Sequence, residues 1–470
     1  MRLQVSRPFP SDSIENMTVA CYHNLPVEDS VHTFPDRGTM RQHLYPAIDA
    51  AWVDLTKLES TGDGIRPQCE LYPDSVFNLR GSWSPELKRH LPQGKLVRET
   101  VLFKHFTAGF SRLPEVNQNG TDRCGPTATV PFIGPEAITK LEPLGGRGTS
   151  TKVTVQLNGL SIPGVMKGLS FFEYLAHSDD SGNTNGRFEA ELRAMNNEIN
   201  LIMSILRQPH PSPYIMRGPI AFCTFDDVTT LDTKLPRIYA AIYPFYEAGT
   251  LLDAVGQHNA TLTRIPLPNL ARWCYQLTEA LHHTHITCHT YHMDLKIDNI
   301  LLDPSTNSII IIDWEQSGAN PFSLAPEAAQ ELDVVLNSET GLLEFRPFQD
   351  SDGVSETKRQ NNPLGTPEWN VFPGWAKECP LAAEMAEVYS LGCTMWQLLK
   401  HHDFEDQEME WRLEENHERW VGVEGVIPEN WRETVDNCIQ ADPNKRMRLS
   451  ELMGFWEKEA REMGALADDI

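Results

Sequence analysis

Two short apolar runs stand out in the pattern of hydrophobic and polar positions: Ile300-Leu301-Leu302, and Ile309 through Ile312. The turn-forming stretch Asp303-Pro304-Ser305-Thr306-Asn307 separates them. Such runs, bounded by turn residues, predict two strands joined by a hairpin. A polar turn carrying His292, Asp294, Lys296 and Asn299 precedes the first run, and the second stops at Asp313. Charged groups are thus held at the ends of elements too apolar to be exposed, where unpaired charge is costly. A divalent metal with a polyphosphate supplies a reason. Asn and Asp oxygens suit Mg²⁺, Lys suits phosphate, and a second Asp can accept a proton from a hydroxyl.

Other stretches are periodic. Residues 188–206 place Glu198, Ile199, Ile202, Ile205 and Leu206 on one helical face, and residues 267–285 do so with Leu270, Trp273, Leu277 and Leu281. Strands are predicted at 153–155, 163–167, 220–222 and 238–243. Two or three amphipathic helices are expected over 431–456. Residues 1 to about 135 are punctuated by Pro, Gly, Asp and Asn and form an extension of unknown role. Within them, 39–58 reads as a helix interrupted at Pro46, Ser84-Pro85-Glu86 as a helix start, 101–106 as a short strand or buried helix edge, and 114–131 as a linker.

Composition narrows the class. The 470 residues suffice for two or three compact units, and 40% hydrophobic with 22% charged residues suits a globular chain. A net charge of −25 argues against nucleic acid or an anionic membrane as a general partner. The nine cysteines show no C-x-x-C and fit a reducing compartment. No signal-peptide pattern or membrane-length apolar run is evident, so a cytoplasmic or nuclear location is expected.

The stretch His292-Met293-Asp294-Leu295-Lys296-Ile297-Asp298-Asn299 resembles the catalytic loop of the eukaryotic serine/threonine protein kinases, and Asp313-Trp314-Glu315 takes the place of their D-F-G. The resemblance covers about residues 137–460. It implies an α+β, two-lobed kinase-like fold over 136–465: a small β-rich lobe to about 245, then a larger helical lobe from about 246. Asp294 becomes the catalytic base, Lys296 a contact to the transferred phosphate, and Asn299 and Asp313 the Mg²⁺ ligands. Gly146-Arg147-Gly148, leading to Val153, partly resembles the glycine-rich loop over ATP, with Thr151 where a third glycine stands in the family. Lys167 then holds the α- and β-phosphates. Glu198 is its expected carboxylate partner, with Glu191 the rival. Pro244 and Tyr246 resemble the hinge that binds adenine.

Gly365-Thr366-Pro367-Glu368-Trp369 resembles the substrate-docking turn, with Thr366 bonded to Asp294 and Lys296. Residues 317–364 then read as a long activation segment carrying an insertion. Phe372-Pro373-Gly374 aligns best with the family's A-P-E, whereas Ala325-Pro326-Glu327 falls early and reads as a chance match. Arg446 corresponds to the buried arginine that pairs with the A-P-E glutamate; Glu368 and Glu378 are the candidates for its partner. Glu387 replaces the aspartate that braces the catalytic loop.

The resemblance implies a Mg-ATP-dependent kinase acting on protein hydroxyls. Two alternatives stand beside it. Glu315, where the family has glycine, suits a pseudokinase scaffold. The loop also resembles aminoglycoside and choline phosphotransferases, which lack the Gly-Thr-Pro-Glu-Trp turn.

Overall fold

The computed structural model describes residues 130–134, 137–144, 150–168, 187–224, 238–330, 332–347, 370–401 and 419–466. The elements expected before residue 130 lie outside these, as do Gly146, Gly148 and the turn at 365–369. The fold is mixed α+β, in two compact units: Met1–Asn196 with Pro219–Phe245, and Asn197–Gly218 with Tyr246–Ile470.

The first unit is built on a six-stranded sheet with strand order β1-β5-β6-β4-β3-β2. The strands are β1 (Phe132–Ile133), β2 (Ile138–Pro143), β3 (Ser150–Leu157), β4 (Leu160–Gly168), β5 (Ala221–Thr224) and β6 (Ile238–Pro244). Only β1 runs parallel to its neighbour; the other pairings are antiparallel. Asn158 and Gly159 join β3 to β4 with φ of 51° and 78°. That two-residue loop with both φ positive matches the right-handed twist of its strands, and Asn-Gly is the pair that tolerates it. Val153 and Val155 on β3 and Gly164 and Met166 on β4 are buried, alternating with more exposed neighbours as a pleat requires. At Gly164 a β-carbon would lie 2.7 Å from the Ile242 side chain, so glycine lets β4 and β6 close up.

Helix α1 (Arg187–Leu206) follows β4, and its second half belongs to the second unit. There the helices are α2 (Leu251–Ala260), α3 (Leu267–His282), α4 (Phe372–Glu378), α5 (Pro380–Lys400), α6 (Glu429–Cys438) and α7 (Leu449–Glu462). Thr250 and Asp253 form a reciprocal capping box at the start of α2. Helix α5 is buried along nearly its whole length, while α3 packs on α7 and α5 on α6. Trp431 and Trp456 meet edge to face at 5.2 Å in this core.

Two hairpins complete the unit. The pair β7 (Ile300–Asp303) and β8 (Ser308–Ile311) matches the two apolar runs. Backbone bonds join β8 to residues after α1, with Ile311 N–H donating to Tyr214 O at 2.8 Å. The second hairpin, β9 (Leu332–Leu336) and β10 (Leu343–Pro347), forms within the stretch expected to be activation segment. It is anchored by Asn444, whose side chain bonds both N–H and C=O of Leu343, and by Phe345 packed edge-on against Trp375. Among the described residues no helix is long and apolar enough to cross a membrane.

Candidate functional site

Strands β7 and β8 hold the two ends of the site. Between α3 and β7 the chain makes a π-helical turn at His283–Thr287, and later a 3-10 turn at Ile297–Asn299. Asp294 lies between them, and the surrounding groups converge on its carboxylate. Lys296 Nζ stands 3.0 Å from Asp294 Oδ2, and Asn299 Nδ2 donates to the same oxygen at 3.1 Å and to the Asp294 carbonyl at 2.8 Å. The other oxygen, Oδ1, accepts the Asn320 backbone N–H at 2.7 Å. Asp294, Lys296 and Asn299 are therefore brought together; Thr366, expected to join them, lies outside the described residues.

The loop is braced from behind. Glu387 on α5, with no exposed surface, accepts the backbone N–H groups of His292 at 2.6 Å and Met293 at 2.5 Å. Its other oxygen meets His285 Nε2 at 2.7 Å. Burial pushes the Glu387 carboxyl up, but the hydrogen bond and charge of His285, then His292 and the Met293 N–H, outweigh it and leave the group below its ordinary range. Met293 is buried with φ of 79°, a conformation a bulky side chain adopts only when its surroundings enforce it. His292 Nε2 bonds to the Ile312 carbonyl at 2.8 Å, and its ring meets Trp314 edge-on at 4.6 Å. That contact couples the Asp294 loop to the residues beside Asp313.

Asp313, with φ of 67°, begins a second cluster. Carboxylate oxygens of Asp313, Glu315 and Glu198 lie within 4.8 Å of one another, Glu198 being 1% exposed. Glu198 thus stands at an acidic group in the second unit. The Glu191 side chain lies outside the described set. Glu315 Oε2 also accepts the Ser317 hydroxyl at 2.9 Å.

The remaining candidates are placed separately. Lys167, half-buried on β4, faces Ser150 on β3 and Ala241 on β6. Val153 is fully buried and paired with Gly164, so the pleat puts it on the opposite face of the sheet from Lys167. These two are not brought together. Pro244 ends β6 opposite Gly164, and Tyr246 follows in the second unit, its hydroxyl pushed up by burial.

One expectation is corrected. The guanidinium of Arg446 pairs in two-pronged fashion with Glu327, at 2.5 and 2.9 Å. Its remaining donors reach Met385 O, Gln440 O and Ala441 O, and it lies 4.9 Å over the Tyr389 ring. Arg446 therefore has Glu327 as its carboxylate partner, in place of the expected Glu368 or Glu378. Phe372-Pro373-Gly374 instead opens α4, where Pro373 suits a first turn. The segment between Asp313 and the Arg446 anchor is short, and the β9–β10 hairpin follows that anchor. Sequence reasoning also missed Asn320; its signal was position, a few residues before Glu327. His285 had no signal at all, because only the fold brings it to Glu387.

No protein-family model matches the chain, and no curated protein matches it. The residues themselves carry the functional reading.

Proposed function

We propose that the protein is a serine/threonine protein kinase that transfers the γ-phosphate of Mg-ATP to protein hydroxyls. The observation that carries this reading is the convergence on Asp294. A partly exposed carboxylate has a lysine and a buried asparagine on one oxygen, on a loop braced through its backbone by Glu387.

Asp294 accepts or orients the proton of the acceptor hydroxyl. The hydroxyl oxygen bonds to the γ-phosphorus, the bond to the β-bridging oxygen breaks, and the proton goes to the carboxylate. Lys296 counters charge on the transferring group. The donor set fits a hard cation by type. Asn299 commits its amide nitrogen to Asp294, which leaves its oxygen as the ligand atom, and Asp313 offers a carboxylate beside two others. Mg²⁺, when bound, neutralises charge on the phosphates. Lys167 is the cation of choice for the nucleotide phosphates. Positioning and charge supply most of such catalysis, so the base is one contribution among several.

A second reading, a kinase-like scaffold without transfer, is favoured by Glu315. Its carboxylate adds to the negative charge at Asp313, where phosphate must approach. Wild type and Asp294→Asn, compared with labelled Mg-ATP on generic proteins and a metabolite panel, separate the readings. The kinase reading expects the substitution to lower turnover by about two orders of magnitude. The nucleotide-induced thermal shift should be unchanged, because Asp294 does not hold the nucleotide. Wild type that binds Mg-ATP yet phosphorylates neither protein nor metabolite rejects the enzyme. Transfer to metabolites alone replaces the protein substrate with a small one.

A further inference from the structure

Gln316 is a non-glycine residue in the left-handed region, with φ of 54°. Its side chain makes three bonds there. Nε2 donates to the Tyr291 carbonyl at 2.6 Å and to Thr290 Oγ1 at 3.2 Å, while Oε1 accepts from Asn197 Nδ2 at 3.2 Å. The Tyr291 carbonyl only accepts, which fixes which end of the Gln316 amide faces it. Asn197 Nδ2 donates as well to the Glu315 carbonyl at 2.9 Å. Two amide side chains thereby join three pieces of the second unit: α1, the approach to Asp294, and the segment leaving Asp313.

The geometry explains the conformation. A glutamine in the left-handed region is strained, and such strain persists where surrounding bonds over-determine it. Tyr291 is buried, so its carbonyl needs a donor from within the chain. His292 Nε2 on the Ile312 carbonyl is a second tie between the same two segments. Asp294 thus follows one tied segment and Asp313 begins the other.

We infer that Gln316 and Asn197 are positioning residues: an amide clamp that sets the Asp313 carboxylate relative to Asp294. The inference rests on the phosphoryl-transfer reading above. It assigns the clamp a share in metal use, although neither side chain is a proposed metal ligand. Outer partners that orient ligands typically shift metal affinity or activity by roughly ten- to a hundredfold.

The test uses the full chain with Gln316→Ala, Gln316→Gly and Asn197→Ala. Glycine is the decisive substitution, because it accepts the left-handed backbone without strain while removing the side chain and its three bonds. Hydrogen–deuterium exchange of residues 290–294 and 312–317 is followed without nucleotide. The Mg²⁺ concentration at half-maximal rate, kcat and the KM for ATP are measured alongside. The clamp predicts faster exchange in both segments, a Mg²⁺ requirement raised roughly tenfold or more, a lower kcat and an unchanged KM for ATP. If wild type transfers phosphate and Gln316→Gly matches it in exchange and Mg²⁺ requirement, the clamp falls and the kinase reading stands. Faster exchange with an unchanged Mg²⁺ requirement reduces the pair to a structural tie and also overturns the assignment. If wild type transfers no phosphate, the kinase reading falls, and with it the clamp's part in metal use.

Discussion

A buried histidine shows how far one side chain can set the pH range of this protein. His401 caps α5 with φ of 62°, and its Nε2 accepts the Ile265 N–H at 3.2 Å. Burial, then the charge of Arg264 and the neighbouring His258, lower its pKa from 6.5 to about 4. The folded protein holds this ring neutral, while the unfolded chain takes up a proton as soon as pH falls below 6.5. Stability is therefore intact above that pH and is lost between 6.5 and 4. His401→Asn keeps a residue suited to the left-handed region and removes the titration. The stability lost by wild type on going from pH 7 to pH 5, measured by urea unfolding, should exceed that of the variant by about 1–2 kcal/mol. Parallel pH profiles would remove His401 as the cause. Glu387 works in the same sense at lower pH: its lowered carboxyl contributes stability above the ordinary carboxylate range, and this is lost on acidification.

At the scale of elements, close approach decides what a helix may carry. Gly392 lies in the middle of α5, where a β-carbon would stand 2.6 Å from the Cys438 β-carbon and 2.8 Å from the Ile439 side chain. Alanine would gain about 1 kcal/mol of helix propensity. It would also force α5 away from the end of α6, and overpacking of that kind costs about 1–3 kcal/mol. Gly392→Ala is expected to be net destabilising by roughly 1 kcal/mol in chemical denaturation, and a more stable variant would show that α6 can give way. The elements themselves are legible in the sequence wherever a period exists. Residues 188–206 and 267–285 repeat at helical spacing, and the two isoleucine-rich runs flank an evident turn; each forms the expected element. Val153 shows where periodicity stops helping. Its place after the glycines suggests nucleotide contact, but the register of β3 against β4 decides its face, and register is a tertiary property. Glu327 and Arg446 stand 119 positions apart, so no local period can announce their pairing.

For the whole molecule that pairing bears on regulation. The stretch between Asp313 and Glu327 is tied at its start by Gln316 and Asn197, at its middle by Asn320 on Asp294, and at its end by Arg446. Glu327→Gln leaves the guanidinium buried without its counter-charge and should cost about 3 kcal/mol in unfolding by denaturant. Replacing both partners, Glu327→Leu with Arg446→Met, should restore most of that loss, because the uncompensated charge is gone; no recovery would mean that the arginine's bonds to Met385 and Gln440 matter more than the pair. A segment held at three places does not need a phosphate to order it. Met293 agrees: where the resembling family often carries an arginine that receives an activation-loop phosphate, this chain has a buried thioether, which cannot pair with one. The proposed kinase is therefore expected to be active as synthesised. Phosphatase treatment should leave its turnover unchanged, as should substitution of Ser323 by alanine, Ser323 being buried in this segment. Loss of turnover on dephosphorylation, with a phosphate mapped to residues 317–364, would show that ordering is supplied from outside and that these ties do not suffice.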